Sequence, residues 1–383
     1  MSAALPRVLF VGAFPPPGRV IYGGHVTSCR ELLASTLPRR VRLDLLDSTQ
    51  VSNPPPRLPV RLLLAAVRVI RFVARLERGR PDAVMLFVGV GASVVEKGAM
   101  AWYARIRGVP ALLFPRGGAM METARDSRVS RLCTRVALLG GRRILCQSET
   151  WRRFVIEELG FAPTVAVVIR NWTATRDLLE VGSQRTGGRH APVRLVFVGW
   201  VEREKGIFEL LAACQHLAPL HEFTLDVVGE GHASGEVRAL VARHGLGSVI
   251  RFRGWLMEAQ LRALLAESDV LVLPSWVEGL PNAMIEGMAA RLAIVASSVG
   301  AIPDVITHGL NGLLVAPRDV ESLQRALGRV MSDRELRERL ASEAYVKAAC
   351  EFSVEPAVER LIGEIAGAIT EARAARHGLA DHP

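Results

Sequence analysis

The chain has 383 residues, half of them apolar and only 5% aromatic, with 34 Gly and 21 Pro scattered along it; this exceeds one ordinary Rossmann unit, suits two, and excludes a disordered or collagen-like chain. The net charge of +10 is uneven, with 29 Lys/Arg against 13 Asp/Glu in residues 1–189 and 19 against 25 in 190–383. The first half is therefore expected to meet an anionic partner, and because no basic stretch is interleaved with stacking aromatics, that partner is expected to be anionic lipid or a phosphorylated acceptor and not nucleic acid.

The five cysteines, Cys29, Cys133, Cys146, Cys214 and Cys350, are odd in number and show no CxxC spacing, so neither a disulfide framework nor a zinc site is predicted and core thiols in a reducing compartment are expected. The apolar run at the start is too short for a secretion signal, and none elsewhere reaches the roughly 20 residues of a membrane span. A cytoplasmic protein is expected.

In chain order, RVLFVG (7–12) is an apolar run ending in Gly, followed by a Pro/Gly loop to Gly24 and the helix-like HVTSCRELLASTL: strand, loop, helix. Further strands are predicted at 42–47, 83–90, 110–117 and 142–148 with helical patterns between them, which describes a parallel sheet of βα units. The stretch 57–80 predicts an amphipathic helix with Arg61, Arg68 and Arg75 at heptad spacing, flanked by Arg71 and Arg78. It either packs on the sheet with its arginines in water or rests on an anionic lipid surface.

The polar, Gly-rich segment 182–191 has the composition of a linker and separates a first domain, 1–181, from a second, 192–356. A second cycle of strands follows at 194–199, 224–231, 249–254, 268–275, 293–297 and 312–316. The final pattern, about 357–376, is one long amphipathic helix expected to pack back on the first domain. Two doubly wound α/β domains facing each other across a cleft would hold a ligand beyond the carboxyl ends of their strands.

The most informative stretch is 274–304, PSWVEGLPNAMIEGMAARLAIVASSVGAIPD. Glu278 is predicted in the loop and Glu286 on the following helix, so two carboxylates could accept from sugar hydroxyls at one end and ribose hydroxyls at the other, while the helix start between them offers backbone N–H groups to a diphosphate. Exposed helical glutamates are the ordinary alternative. At 199–206, GWVEREKG, the strand ends in Gly199 and Lys205 stands just before a helix, where an ammonium can meet a diphosphate; a surface lysine is again the alternative. The run VVGEGHASGEV (227–237) invites a dinucleotide reading, but the second-strand acid of that fingerprint has no candidate.

The segments PSWVEGLPNAMIEGMAA and VGAIPDVITHGLNGLLV closely resemble the signature of glycosyltransferase family 4, retaining enzymes of the GT-B fold, and the resemblance is strongest from 194 to 320. It implies two Rossmann-like domains and transfer of a hexose-type sugar from a UDP- or GDP-sugar to a saccharide or polyprenyl-linked saccharide acceptor in cell-surface polysaccharide synthesis, in the cytoplasm or on the inner face of the plasma membrane. By resemblance Glu278 would contact the transferred sugar, Glu286 the ribose, the backbone of Gly279, Leu280, Pro281 and Asn282 the sugar and diphosphate, and Lys205 the diphosphate, with Gly229 lining the donor pocket.

Gly23-Gly24 resembles the family's N-terminal glycine pair, which lets backbone N–H groups approach a phosphate; a tight turn without ligand is the alternative. His25 beside it reads as a capping or surface residue. LLFPRGGAM occupies the place of the family's His-Gly pair, making Arg116 a site residue or a structural arginine at the sheet end. The chain also departs from the family pattern at Trp200, where an Arg is usual and Arg203 is the candidate substitute, and at Gly287 and Arg291, where Ala and Gly are common. No D-x-D motif occurs, so no metal or other cofactor is expected and the leaving diphosphate falls to cations and helix ends. The rival readings are a nucleotide-sugar epimerase on the same scaffold and a non-catalytic saccharide or nucleic-acid binder.

Overall fold

The structure is a computed structural model and describes residues 4–16, 21, 23–49, 57–185 and 192–378. The chain divides into two units, residues 1–171 with 354–383 and residues 172–353.

In the first unit, six strands lie in the order β2-β1-β3-β4-β5-β6: β1 (Arg7–Gly12), β2 (Arg42–Asp47), β3 (Ala83–Val88), β4 (Ala111–Pro115), β5 (Arg143–Cys146) and β6 (Ala166–Val168). All pairings are parallel, with Val8 opposite Ala83 and Val84 opposite Ala111. Every side chain of AVMLFV in β3 is buried, since helices covering both faces of a parallel sheet leave no polar side to its strands. Helix Val354–Gly378 returns to this unit, where Arg40 pairs with Glu359 at 2.8 Å and Arg143 with Glu364 at 3.1 Å.

The second unit repeats the device in the order β12-β11-β10-β7-β8-β9. Its strands are β7 (Val193–Val198), β8 (Phe223–Val228), β9 (Ile250–Gly254), β10 (Val270–Leu273), β11 (Ala293–Ser297) and β12 (Leu313–Val315), again all parallel. The connection after β7 leads to β8 on one side, whereas β10, its other neighbour, leads to β11 on the opposite side. The sheet therefore has a switch point between β7 and β10, where ligands of such sheets settle.

Four expectations change. Strand β6, within the apolar run VAVVI (165–169), is an addition to the predicted strands of the first unit. The crossing between units lies at 171/172, ahead of the predicted linker, because 176–183 is a helix: Gly182 sits where a Cβ would fall 2.3 Å from Ala289 O and 2.6 Å from the Tyr345 ring, so it serves close packing. The remainder of that predicted linker, 186–191, falls outside the described residues. The basic stripe of helix Leu58–Gly79 is broken, since Arg68 forms a two-point pair with Glu96 at 2.7 and 2.8 Å and Arg75 pairs with Asp44 at 2.9 Å. Cys29, Cys146 and Cys214 are buried as expected, but Cys133 and Cys350 lie on exposed positions of their helices and are not core thiols.

Candidate functional site

At the switch point of the second unit, the loops after β7 and β10 are joined. Trp276 N donates to Glu204 O at 2.8 Å. Gly206, at φ 70°, lies so close to the other loop that a Cβ would fall 1.9 Å from Pro274 O. On this frame Lys205 Nζ lies 2.6 Å from Glu278 Oε1, and the same oxygen accepts from Ser275 Oγ at 2.8 Å. The two side chains are 26% and 11% exposed, so the pair is shielded while its lysine still meets solvent. A charge-assisted bond in that setting orients both groups.

The Glu278 backbone is held from the opposite side. Gly300, at φ 56°, would carry a Cβ 1.9 Å from Glu278 O, and Ala301 N donates to Gly279 O at 2.8 Å. Leu280 is buried and anchors the loop, and the helix Asn282–Ala289 starts after Pro281 with no side-chain cap. Its first N–H groups and positive end thus mark an anion-favouring point. Glu286 follows Asn282 by four residues and shares its helix face. Gly287 approaches β10, where a Cβ would fall 2.7 Å from Leu271 Cδ2. Arg291 holds the left-handed conformation, φ 57°, that follows many helices and favours glycine, and its guanidinium donates to Arg185 O at 3.1 Å and Ser342 Oγ at 3.4 Å. Both departures from the family pattern are thereby packing features.

Other residues complete or leave the constellation. Gly199 N donates to Val228 O at 3.0 Å and Gly229 N to Gly254 O at 2.8 Å, so these glycines lie at adjacent strand ends. Trp200 packs edge-on against Trp255, ring centroids 4.6 Å apart. Arg203 is turned to Glu236, 3.4 Å from both carboxylate oxygens, and lies 4.2 Å over the Phe208 ring. Sequence reasoning passed over Ser275, Trp276 and Gly300. Trp276 donates to Glu209 at 3.0 Å beneath the Arg318 guanidinium. Each had a signal, Ser275 and Trp276 in PSWVEGLP and Gly300 in VGAIPD.

In the first unit, Gly24 opens helix Gly24–Ala34 after β1, and Ser28, one turn on, accepts a hydrogen bond from Arg116. Arg116 is buried at the end of β4, its guanidinium 5.4 and 5.0 Å from the Phe87 and Phe114 ring centroids, and burial lowers its pKa to about 10. His25 departs from the surface or capping reading. It is half-buried, edge-on to Phe87 at 6.3 Å, and burial first, then the charges of Arg116 and Lys97, lower its pKa to about 3. It is neutral at neutral pH because an imidazolium there would lose water and face two cations. Among the described residues, no group of three His, Cys, Asp or Glu is placed to hold a metal ion.

Residues 183–347 match the family described as glycosyl transferases group 1. The chain is 33% identical over 196 residues to glycogen synthase of Mycobacterium tuberculosis, covering 50% of this chain and 46% of that enzyme. It is 36% identical over 151 residues to the MMP alpha-(1->4)-mannosyltransferase of Mycolicibacterium hassiacum, 39% of this chain and 36% of that one. The chain thus spans about half the length, or less, of these relatives. Among solved structures, sucrose-phosphate synthase of Thermosynechococcus elongatus is similar with a TM-score of 0.77 at 18% identity over 96% of this chain and 100% of that one. Anabaena HepE in complex with UDP and glucose has a TM-score of 0.70 at 17% identity over 94% and 100%. The fold is GT-B.

Proposed function

With residues 183–347 a group 1 glycosyl transferase domain, we propose that the chain moves a hexose-type sugar, with retention, from a UDP- or GDP-sugar to a saccharide or lipid-linked saccharide acceptor, in cell-surface polysaccharide synthesis. The observation that carries the reading is the Lys205–Glu278 pair at the β7/β10 switch point, 2.6 Å apart, with the Asn282–Ala289 helix start and Glu286 beside it. The relatives that share this part of the chain are named as a glycogen synthase and a mannosyltransferase, and HepE holds UDP and glucose in a fold of this kind.

In this reading Glu286 accepts from the ribose hydroxyls, Glu278 from a sugar hydroxyl, and the backbone of Gly279 to Asn282 meets sugar and diphosphate. Gly199 and Gly229 let the strand ends come close to the nucleotide. The diphosphate competes with Glu278 for the Lys205 ammonium, which then lies where negative charge grows as the bond from the anomeric carbon to the phosphate oxygen breaks. The acceptor hydroxyl forms the new bond on the same face and its proton passes to the departing phosphate. Lys205 and the helix end take the place of a metal ion, and Arg203 joins them only by leaving Glu236. The protein works in the cytoplasm, held peripherally at the inner face of the plasma membrane when its acceptor is lipid-linked.

A screen of UDP- and GDP-sugars for protection against thermal unfolding tests donor binding, since a ligand at about 100 times its Kd adds about 2.7 kcal/mol. Product analysis by NMR then separates transfer with retention from epimerisation, and turnover in EDTA tests metal independence. Protection without any turnover on saccharide or lipid-linked acceptors would leave a binding protein.

A further inference from the structure

We propose that the layer formed by helices Leu58–Gly79, Ala92–Ile106 and Arg128–Leu138 in the first unit is a docking surface for an anionic lipid bilayer, with its apolar side chains entering the headgroup boundary and its arginines meeting lipid phosphates. Ten of the sixteen exposed large apolar residues among the described residues lie on these three helices. On Ala92–Ile106 the exposed positions are Ala92, Val95, Ala99, Trp102 and Ile106, with Arg105 the single polar one. Their spacing of three and four residues makes one helical face, the face that an ordinary surface helix fills with charge. Ile106 is 76% exposed.

The neighbouring helices continue this face. Arg128–Leu138 exposes Val129, Leu132 and Val136, again at helical spacing, and Trp102 Nε1 donates to Val136 O at 2.8 Å, which sets the two apolar stripes side by side. On the other flank Arg68 reaches Glu96 at 2.7 Å and Tyr103 reaches Glu77 at 2.7 Å, tying Leu58–Gly79 to the same layer, where Leu63 and Ile70 are exposed. Contiguous apolar surface of this kind marks an interaction site in a folded protein.

Charge selects the occupant. The three helices carry ten Lys/Arg and two Asp/Glu. Both acids are engaged, Glu96 in a buried pair with Arg68 and Lys97, Glu77 with Tyr103 and Arg107. The outward charges, Arg61, Arg71 and Arg78 on one flank and Arg128 and Arg135 on the other, are therefore all positive. A second copy of the chain docked on this face would set arginine against arginine, whereas a bilayer with anionic headgroups satisfies the arginines and the apolar ridge together.

This deepens the lipid-linked acceptor reading and rests on it for its purpose, but its test needs neither donor nor acceptor. Sedimentation with phosphatidylcholine vesicles, with and without phosphatidylglycerol, should show binding that requires phosphatidylglycerol and weakens with salt. Ile106→Glu with Leu132→Glu should weaken it about tenfold or more, while circular dichroism and donor protection stay unchanged. Arg128→Gln with Arg135→Gln, which spares the ridge, should weaken it as well. Lipids brominated in the acyl chain should quench the wild type more than Trp102→Phe. Three results would overturn the proposal: no binding to phosphatidylglycerol vesicles at low salt, binding that both double variants leave intact, or a wild-type dimer in sedimentation equilibrium that Leu132→Glu dissociates. If donor protection fails while vesicle binding persists, the transferase reading falls and the docking surface stands.

Discussion

Lys205 and Glu278, 73 residues apart in sequence, meet at 2.6 Å where the loops after β7 and β10 come together. Each fixes the orientation of the other, and Ser275 supports the carboxylate at 2.8 Å. Lys205→Ala should lower kcat on the order of 10²-fold with a Tm near that of the wild type, because Ser275 still bonds the remaining carboxylate and solvent reaches the vacated side. Glu278→Gln should cost less in nucleotide affinity than in turnover. A near-normal kcat in Lys205→Ala, measured by release of nucleoside diphosphate, would remove the lysine from the chemistry.

Glu286 should show itself in nucleotide affinity. A carboxylate accepting from ribose hydroxyls is worth about 1.5–3 kcal/mol, so Glu286→Gln should weaken UDP or GDP by about 10- to 100-fold in calorimetry. An unchanged Kd would place Glu286 outside the ribose site.

Gly300 is the structural counterpart of that chemistry. At φ 56°, with the Glu278 carbonyl 1.9 Å from where a Cβ would stand, Gly300→Ala adds about 1–2 kcal/mol of backbone strain and pushes the Glu278–Gly279 peptide away from its place. The expected outcome is a lowered Tm together with lost donor protection. A variant that loses Tm but binds donor as the wild type does would show that the loop does not need this contact.

The neutral His25 predicts a pH dependence in the first unit. Its folded pKa, about 3, lies below the ordinary 6.5, so above pH 6.5 neither state is protonated and the group has no effect. As pH falls below 6.5 the unfolded chain takes the proton and the folded chain does not, so stability declines, by about 1–2 kcal/mol by about pH 5. His25→Gln should flatten that limb of a urea-denaturation series. An identical decline in the variant would assign the acid sensitivity to other groups.

The architecture of two parallel βα sheets and the local setting of Glu278 and Glu286 were legible in the sequence alone. Runs such as AVMLFV, short, apolar at every position and rich in branched residues, suit strands of a covered parallel sheet, and PSWVEGLPNAMIEGMAA places Glu278 in a loop and Glu286 on a helix through local spacing. Tertiary structure decided whatever depends on a neighbour distant in sequence. Gly182 reads as linker by composition but lies in a helix beside Ala289 and Tyr345. Arg68 reads as part of a solvated stripe but is held by Glu96, His25 reads as a cap but lies against Phe87, and Arg203 turns to Glu236. The apolar solvent face of Ala92–Ile106 was hidden for the same reason. Periodicity shows which residues share a helix face, but only packing decides which face the sheet covers and which is left to the surface.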